Sequence, residues 1–175
     1  MILSIIAAIG KNNELGKKND LLWSLPADMK HFREKTRGHA VVMGQKTYES
    51  LACDENGKQI GRLLPNRRNI ILTQDDSFTA PGAEIFYSID EAMDLLKKTT
   101  NEKDEVFVIG GGMIYKLFIN MADKLYITHV NGDFPDAEVF FPEIDQKKWK
   151  KTKGEKLQKN DLNIYDLEFT EYTRL

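Results

Sequence analysis

The chain has one cysteine in 175 residues, Cys53, so an internal disulfide cannot form and the usage fits a reducing cytoplasm. Its histidines, His31, His39 and His129, lack ligand-like spacing to cysteine or acids, and no metal is expected. Neither sign of charge dominates: 25 Lys and Arg stand against 27 Asp and Glu, a formal charge of −2. There is thus no general electrostatic pull toward nucleic acid or an anionic membrane, and neither is expected as a partner. Long hydrophobic runs are missing too. Residues 1–9 are apolar, but no basic segment precedes them and Lys11, Asn12 and Asn13 follow at once, so a buried strand is expected rather than a signal peptide. Nothing approaches a membrane span, and the expected location is the cytoplasm. Repeats and low-complexity tracts are absent. Residues 1–175 are expected to form a single domain with a substantial core.

What is present reads as strands alternating with helices. Apolar runs at 1–9, 40–43, 69–73 and 106–109 predict buried strands, with shorter ones at 85–87 and Lys124–Val130. Residues 11–19 are expected as a loop, and 52–60 as a polar surface insertion. Helices are expected from Pro26 to about Thr36, over 47–51, from Ser88 to about Lys98 and from Met113 to about Asn120. Pro26 suits a first helical turn, and Ser88 with Glu91 forms a capping-box pattern. Residues 149–158 and 163–173 read as two antiparallel strands around Lys159, Asn160 and Asp161. The fold class is α/β: a mostly parallel sheet of about eight strands with an antiparallel C-terminal hairpin, flanked by about four helices.

The stretch around Pro26 holds the sharpest question. Leu25, Met29 and Phe32 recur at helical spacing and predict a buried helix face, with Asp28 at its edge. Asp28 is either a first-turn acid complementing the helix dipole or a half-buried acid with a raised pKa, a proton source near neutral pH. Two glycine turns end apolar strands. Gly110-Gly111-Gly112 lets backbone approach a pyrophosphate at a helix start, though it lacks the Rossmann spacing; a structural tight turn is the other reading. Gly44-Gln45-Lys46-Thr47 lacks the Gly-Lys adjacency of a Walker A motif, which leaves a second anion-facing helix start. Two such turns suggest a ligand with two phosphates lying across strand ends. Arg62, Arg67 and Arg68 form either a carboxylate fork or a solvated basic loop. Thr128, inside an apolar strand, reads as a satisfied core hydroxyl.

Taken in order, the motifs closely resemble the dihydrofolate reductases of bacterial type. They are Leu15-Gly16, Trp23-x-Leu25-Pro26-Ala27-Asp28, Val42-Met43-Gly44-x-Lys46-Thr47-Tyr48, Leu64-Pro65-Asn66-Arg67, Ile109-Gly110-Gly111-Gly112-x-Ile114-Tyr115 and Leu125-Tyr126-Ile127-Thr128. The resemblance runs through essentially the whole chain. It implies that fold, and NADPH-dependent reduction of 7,8-dihydrofolate to tetrahydrofolate in one-carbon metabolism: hydride passes to pterin C6 and N5 gains a proton. By it, Asp28 is the carboxylate that holds the pterin and promotes N5 protonation through water, Thr128 orients Asp28, and Trp23 anchors a water. Leu21, in the lid beside Trp23, joins them as an expected catalytic position. Ile6, Ala8, Met29, Ile109 and Tyr115 are the implied contacts around the pterin. Phe32, Leu51 and Leu64 form the sleeve around the aminobenzoyl ring, and Arg67 clamps the glutamate α-carboxylate.

For the cofactor, the resemblance implies contacts from Ala8, Ile9, Leu15, Gly16, Gly44, Gln45, Lys46, Thr47, Leu72, Thr73 and Gln74. Ile109, Gly110, Gly111, Gly112, Met113, Ile114 and Tyr115 complete that set, with a cis Gly110–Gly111 peptide and a mobile lid over 10–25. Three departures stand out. Gln45, Gln74 and Tyr87 replace residues that help bind the 2′-phosphate in many bacterial members, so NADH use is conceivable beside NADPH. Residues 52–60 lengthen one loop, which either flanks the glutamate end of the substrate or is a tolerated surface insertion. Leu21 and Leu22 stand where Met-Pro is common. Antifolates such as trimethoprim or methotrexate are expected inhibitors, and a monomer is expected. The competing readings are an aminouracil-phosphoribosyl reductase of riboflavin synthesis and a non-catalytic pterin- or dinucleotide-binding module.

Overall fold

Alternation along the first strand sets the layout. β1 (Ile2–Ile9) sends Leu3, Ile5, Ala7 and Ile9 into the larger core cluster and Ile6 into a second one. That is the period-two pattern of a strand buried on both faces. The computed structural model describes all of residues 1–175. After β1 come β2 (Glu14–Lys17), β3 (Asp20–Leu21), α1 (Pro26–Thr36), β4 (Ala40–Gly44), α2 (Gln45–Ser50), β5 (Arg68–Leu72) and β6 (Glu84–Phe86). They are followed by α3 (Ile89–Thr99), β7 (Glu105–Gly110), α4 (Gly112–Phe118), β8 (Lys124–Val130), β9 (Val139–Phe140), β10 (Trp149–Leu157) and β11 (Leu167–Arg174).

The main sheet has eight strands in the order β10-β11-β8-β1-β7-β4-β5-β6. Its pairs are parallel from β8 through β6, and β11 runs antiparallel to both β8 and β10. With the four helices this is the α/β architecture expected from the strand and helix pattern. Val41, Met43, Ile71, Phe107, Ile109 and Tyr126 share the second cluster with Ile6, while Val42, Ile70, Val108 and Ile127 join the larger one. Because β7 lies between β1 and β4, the carboxyl ends of three parallel strands meet, and both glycine turns open there. Ser88 caps α3 as expected, accepting from the Glu91 N–H at 3.2 Å. No helix is long and apolar enough to cross a membrane.

The structure departs from the sequence reading in three places. Residues 11–19 are not simply a loop: β2 pairs antiparallel with β3 and with β9, making a small second sheet. The final strand starts at Leu167 rather than at 163, because side-chain turns hold the loop before it. Asn160 Oδ1 accepts from the N–H groups of Leu162 and Asn163, and Asp166 Oδ1 from that of Lys159. The expected apolar face of α1 is also not core. Leu25 is buried, but Met29 is 40% exposed, Phe32 is half-buried, and Thr36 is the one fully buried residue of the helix. Beyond Leu25 the stripe is only partly covered.

Candidate active site

Asp28 is placed by the start of α1. Pro26 fills the first turn, but Leu25, at the cap position, has no side chain able to accept from it. Asn163 does so from the distant C-terminal loop, its Oδ1 taking the Ala27 N–H at 2.9 Å. Asn163 is itself buried and bonded to Asn160 Oδ1. One residue on, the half-buried Asp28 carboxyl faces the Thr128 hydroxyl, and Thr128 is the β8 partner of Ala8 in register. Burial pushes the Asp28 pKa above the ordinary carboxylate range, and the Thr128 hydroxyl pulls part of the way back. The acid lies against apolar surface with one hydroxyl to orient it. Of its two readings, the environment is that of the half-buried acid rather than of a solvated first-turn charge.

Trp23 is 8% exposed, packed in a cluster with Leu25 and Ala8 and with its ring 4.8 Å from that of Phe134. Its indole Nε1 is buried without a protein partner, an orphan donor of the kind that water or ligand satisfies. Tyr115 is buried and donates to the Ile6 carbonyl at 2.8 Å. Burial, and secondarily the Asp28 charge, push its pKa up, so it stays a neutral donor. Ile6 and Ile109 belong to the second cluster, and Phe32, Leu51 and Leu64 pack against it. Residues from β1, α1, the end of α2, the loop before β5 and β7 therefore share one apolar surface. Met29, expected among the substrate contacts, is on the exposed side of this group.

The adjacent arginines part ways. Arg68 is spent on Glu84, with bonds of 2.5 and 2.8 Å, and on Thr99. Arg67 turns back onto α1. Its Nε donates to Thr36 Oγ1 at 2.9 Å, Nη1 to the Pro65 carbonyl at 2.7 Å and Nη2 to the Arg33 carbonyl at 3.2 Å. One N–H on each terminal nitrogen is left over, the fork that suits a carboxylate. It opens on a groove of about 410 Å³ lined by Lys30, Arg33, Glu34, Arg37 and Pro65 among others.

Across the strand ends, the Gly110–Gly111 peptide is cis. Neither Gly44 nor Gly111 caps the helix it precedes, so the first-turn N–H groups of α2 and α4 have no side-chain acceptor at the cap. The turns have no room for side chains. A Cβ on Gly44 would stand 3.0 Å from Ile114 Cγ1, and one on Gly112 2.5 Å from Val139 Cγ1. Ile9, Leu15, Leu72 and Ile114 line the neighbouring core, and Gly16 lies in β2. Thr47 Oγ1 faces Gly111, 3.3 Å from where a Cβ would be. Gln45 is occupied: Nε2 donates to Glu49 Oε1 at 2.8 Å, and Oε1 accepts from the Thr73 hydroxyl. Lys46, Gln74, Met113 and Leu21 stand exposed.

Two residues escaped the sequence reading. Asn163 caps α1 across 136 positions, and only the Asn160-x-x-Asn163 turn pattern hints at it. Glu14 is 3% exposed inside the segment expected to form a lid, where the Asn12 N–H and Nδ2 donate to it at 2.7 and 2.9 Å.

Comparison with known proteins fits this geometry. A family model described as "Dihydrofolate reductase" matches residues 2–174. The dihydrofolate reductase of Staphylococcus haemolyticus is 36% identical over 173 residues, covering 99% of this chain and 96% of the relative. Dihydrofolate reductase type 3 of Salmonella typhimurium is also 36% identical, over 99% of each chain. Among solved structures, dihydrofolate reductase from Enterococcus faecalis complexed with NADP(H) and RAB-propyl superposes with a TM-score of 0.86. It is 31% identical, over 99% of this chain and 96% of that one.

Proposed function

The chain belongs to the dihydrofolate reductase family, an oxidoreductase family, and from that premise we propose that it reduces 7,8-dihydrofolate to tetrahydrofolate with NADPH, Asp28 promoting protonation of N5. The observation that carries the proposal is Asp28 itself: a half-buried acid, its pKa raised by burial, with the Thr128 hydroxyl as its oriented hydrogen-bond partner. Such an acid keeps a proton available closer to neutral pH, which is what a proton donor to an imine nitrogen requires.

The two glycine turns fit a dinucleotide on their own geometry, since backbone N–H groups lie uncapped where no Cβ could stand. Gly44, Lys46, Thr47 and Gly111 to Tyr115 would hold the pyrophosphate and nicotinamide ribose. When bound, the nicotinamide supplies a hydride to pterin C6. The protein's own residues do the rest. Asp28 holds the pterin amino group and ring nitrogen and passes a proton toward N5 through water. The Trp23 indole fixes a water at the wall, and Phe32, Leu51 and Leu64 enclose the aminobenzoyl ring. Arg67 takes the α-carboxylate with its two spare N–H groups, and antifolates that carry a pterin-like ring compete for Asp28. The lid, residues 10–25, closes to exclude water.

Cofactor choice is expected to be loose. The side chain at position 45 is a neutral amide held between Thr73 and Glu49, so a carboxylate rather than a cation stands next to it, and Lys46 is the nearby positive charge. Mixing the protein with dihydrofolate and NADPH, and following nicotinamide oxidation, tests the activity directly. No turnover in a folded sample overturns the proposal in favour of a binding module. Repeating the assay with NADH tests the cofactor choice: a kcat/KM ratio above about 10³, worth roughly 4 kcal/mol, refutes it.

A further inference from the structure

Residues 52–60, which lengthen the loop after α2, are a folded unit in contact with the lid. Asp54 organises the turn, its Oδ1 accepting from the N–H groups of Asn56 and Lys58, both at 2.9 Å. Cys53 and Gln59 face each other in an antiparallel bridge, and the Ile60 N–H returns to the Ala52 carbonyl at 2.9 Å. At its exit the Gly61 N–H binds the Glu49 carbonyl at 3.0 Å. Gly61 has φ +77°, and a Cβ there would stand 2.3 Å from the Tyr48 ring, so the exit is fixed.

From this unit the Gln59 side chain reaches Asn19. Its Nε2 donates to the Asn19 carbonyl at 3.1 Å and its Oε1 accepts from Asn19 Nδ2 at 2.6 Å. The same Nδ2 lies 2.9 Å from the Lys46 carbonyl, in the first turn of α2. Asn19 sits at the tip of the β2–β3 hairpin, where Lys18 and Asn19 both have positive φ, 49° and 62°. Several of the lid's other long-range side-chain ties are exposed charges, while Glu14, Leu15 and Trp23 are buried nearer its base. Lys11 meets Asp133 at 3.3 Å and Lys17 meets Asp136 at 3.6 Å, while the Lys18 N–H meets Glu138 at 3.2 Å. Exposed ion pairs of this kind hold weakly and fade with salt. The Gln59–Asn19 pair is neutral, two-pronged and independent of salt.

We propose that Gln59 is a positioning residue: it clasps the tip of the closed lid and so sets how long the cofactor stays bound. This rests on the reading of residues 10–25 as the lid over the nicotinamide. The bond to the Asn19 carbonyl is made by the loop and not by the lid itself, so it exists only while the tip lies against α2. The clasp thus distinguishes closed from open, as a latch must to shift their balance.

Q59A tests it, with K58A as the control for folding of the loop, since the exposed Lys58 side chain makes no hydrogen bond or ion pair. Three measurements are compared in the full-length protein: amide exchange at residues 17–21 without ligand, NADPH release by stopped-flow displacement, and the reduction step in a single turnover across pH. Loss of a two-bond clasp is expected to raise lid exchange and NADPH release in Q59A by about tenfold. The pH at which the reduction step falls off stays where it was, and K58A matches the wild type. In N19G, glycine keeps the positive φ but removes the Asn19 amide, so N19G and Q59A combined should change release by less than the product of their separate effects. Unchanged exchange or unchanged release in Q59A overturns the proposal, as do equal changes in K58A. If the wild type binds NADPH but never reduces dihydrofolate, the activity reading fails while exchange and release still decide the clasp.

Discussion

Two acids withdrawn from solvent flank the candidate site, and their surroundings push them in opposite directions. Asp28, at the start of α1, meets apolar surface and one hydroxyl, and burial raises its pKa above the usual range. Glu14, in strand β2, has still less surface open to solvent, and burial is again the largest influence, upward. Yet hydrogen bonds from Asn12 and neighbouring backbone outweigh it, and its pKa ends below the usual range. Burial alone therefore does not mark a chemical acid. What separates them is the number of donors: a carboxylate given several is locked as an anion and anchors structure, while one given a single hydroxyl keeps its proton within reach.

The largest expected effect is at Asp28. D28N keeps the shape and removes the titrating proton, so kcat/KM should fall by about 10²–10⁴, the usual range for a positioned proton donor. Wild-type reduction should slow as pH rises through the raised Asp28 pKa, and the variant's profile should be flat. Stability moves the other way. The folded state holds the Asp28 proton more tightly than the unfolded chain does. Its contribution is full below the unfolded pKa and falls away as pH rises through the folded one. D28N escapes that loss and should melt higher than the wild type at neutral pH, with the difference closing in acid. Wild-type turnover in D28N would return Asp28 to a plain first-turn acid.

The neighbouring arginines allow a second, smaller cut. R67L removes the fork proposed for the substrate carboxylate and should raise KM for dihydrofolate about 10- to 100-fold, at 1.5–3 kcal/mol for charged hydrogen bonds, with kcat little changed. R68L breaks the pair with Glu84, which is partly exposed, and should cost about 1 kcal/mol of stability or less with KM unchanged. Equal KM effects would mean that Arg67, like Arg68, is spent on structure.

Much of this was legible in the sequence because its signals are local. The apolar runs of β1, β4, β5 and β7, Pro26, the Ser88 cap and both glycine turns each announce themselves within a few residues. The role proposed for Asp28 came only from the order of motifs along the chain. Locally, an acid in a first helical turn is unremarkable. Pairings over long separations were hidden: β2 is four residues long and takes the distant β9 as partner, Glu14 opposite Phe140 and Gly16 opposite Val139, with no period to reveal it. The apolar spacing of Leu25, Met29 and Phe32 was real but ambiguous, since a helix face left partly open and one packed wholly against core carry the same stripe. The roles of Asn163 and Gln59 depend on where two distant loops come to rest, which no local pattern encodes.

The smallest effect tests the other half of the comparison. E14Q keeps the size of Glu14 but brings an N–H₂ group where Asn12 already offers donors, so at least one of those bonds is lost. Turnover should stay within about threefold of wild type, or roughly 0.6 kcal/mol, because no proton passes through Glu14. Stability should fall by about 1 kcal/mol at neutral pH, the worth of an ordinary hydrogen bond. The sign again follows from the pKa: it is depressed in the folded state, so the contribution is present above the unfolded pKa and lost as pH falls through the folded one. The deficit of E14Q should therefore vanish in acid, where Glu14 is protonated in the wild type as well. At neutral pH, D28N should melt above the wild type and E14Q below it. The distinction drawn between these two acids fails if both variants shift the melting temperature in the same direction.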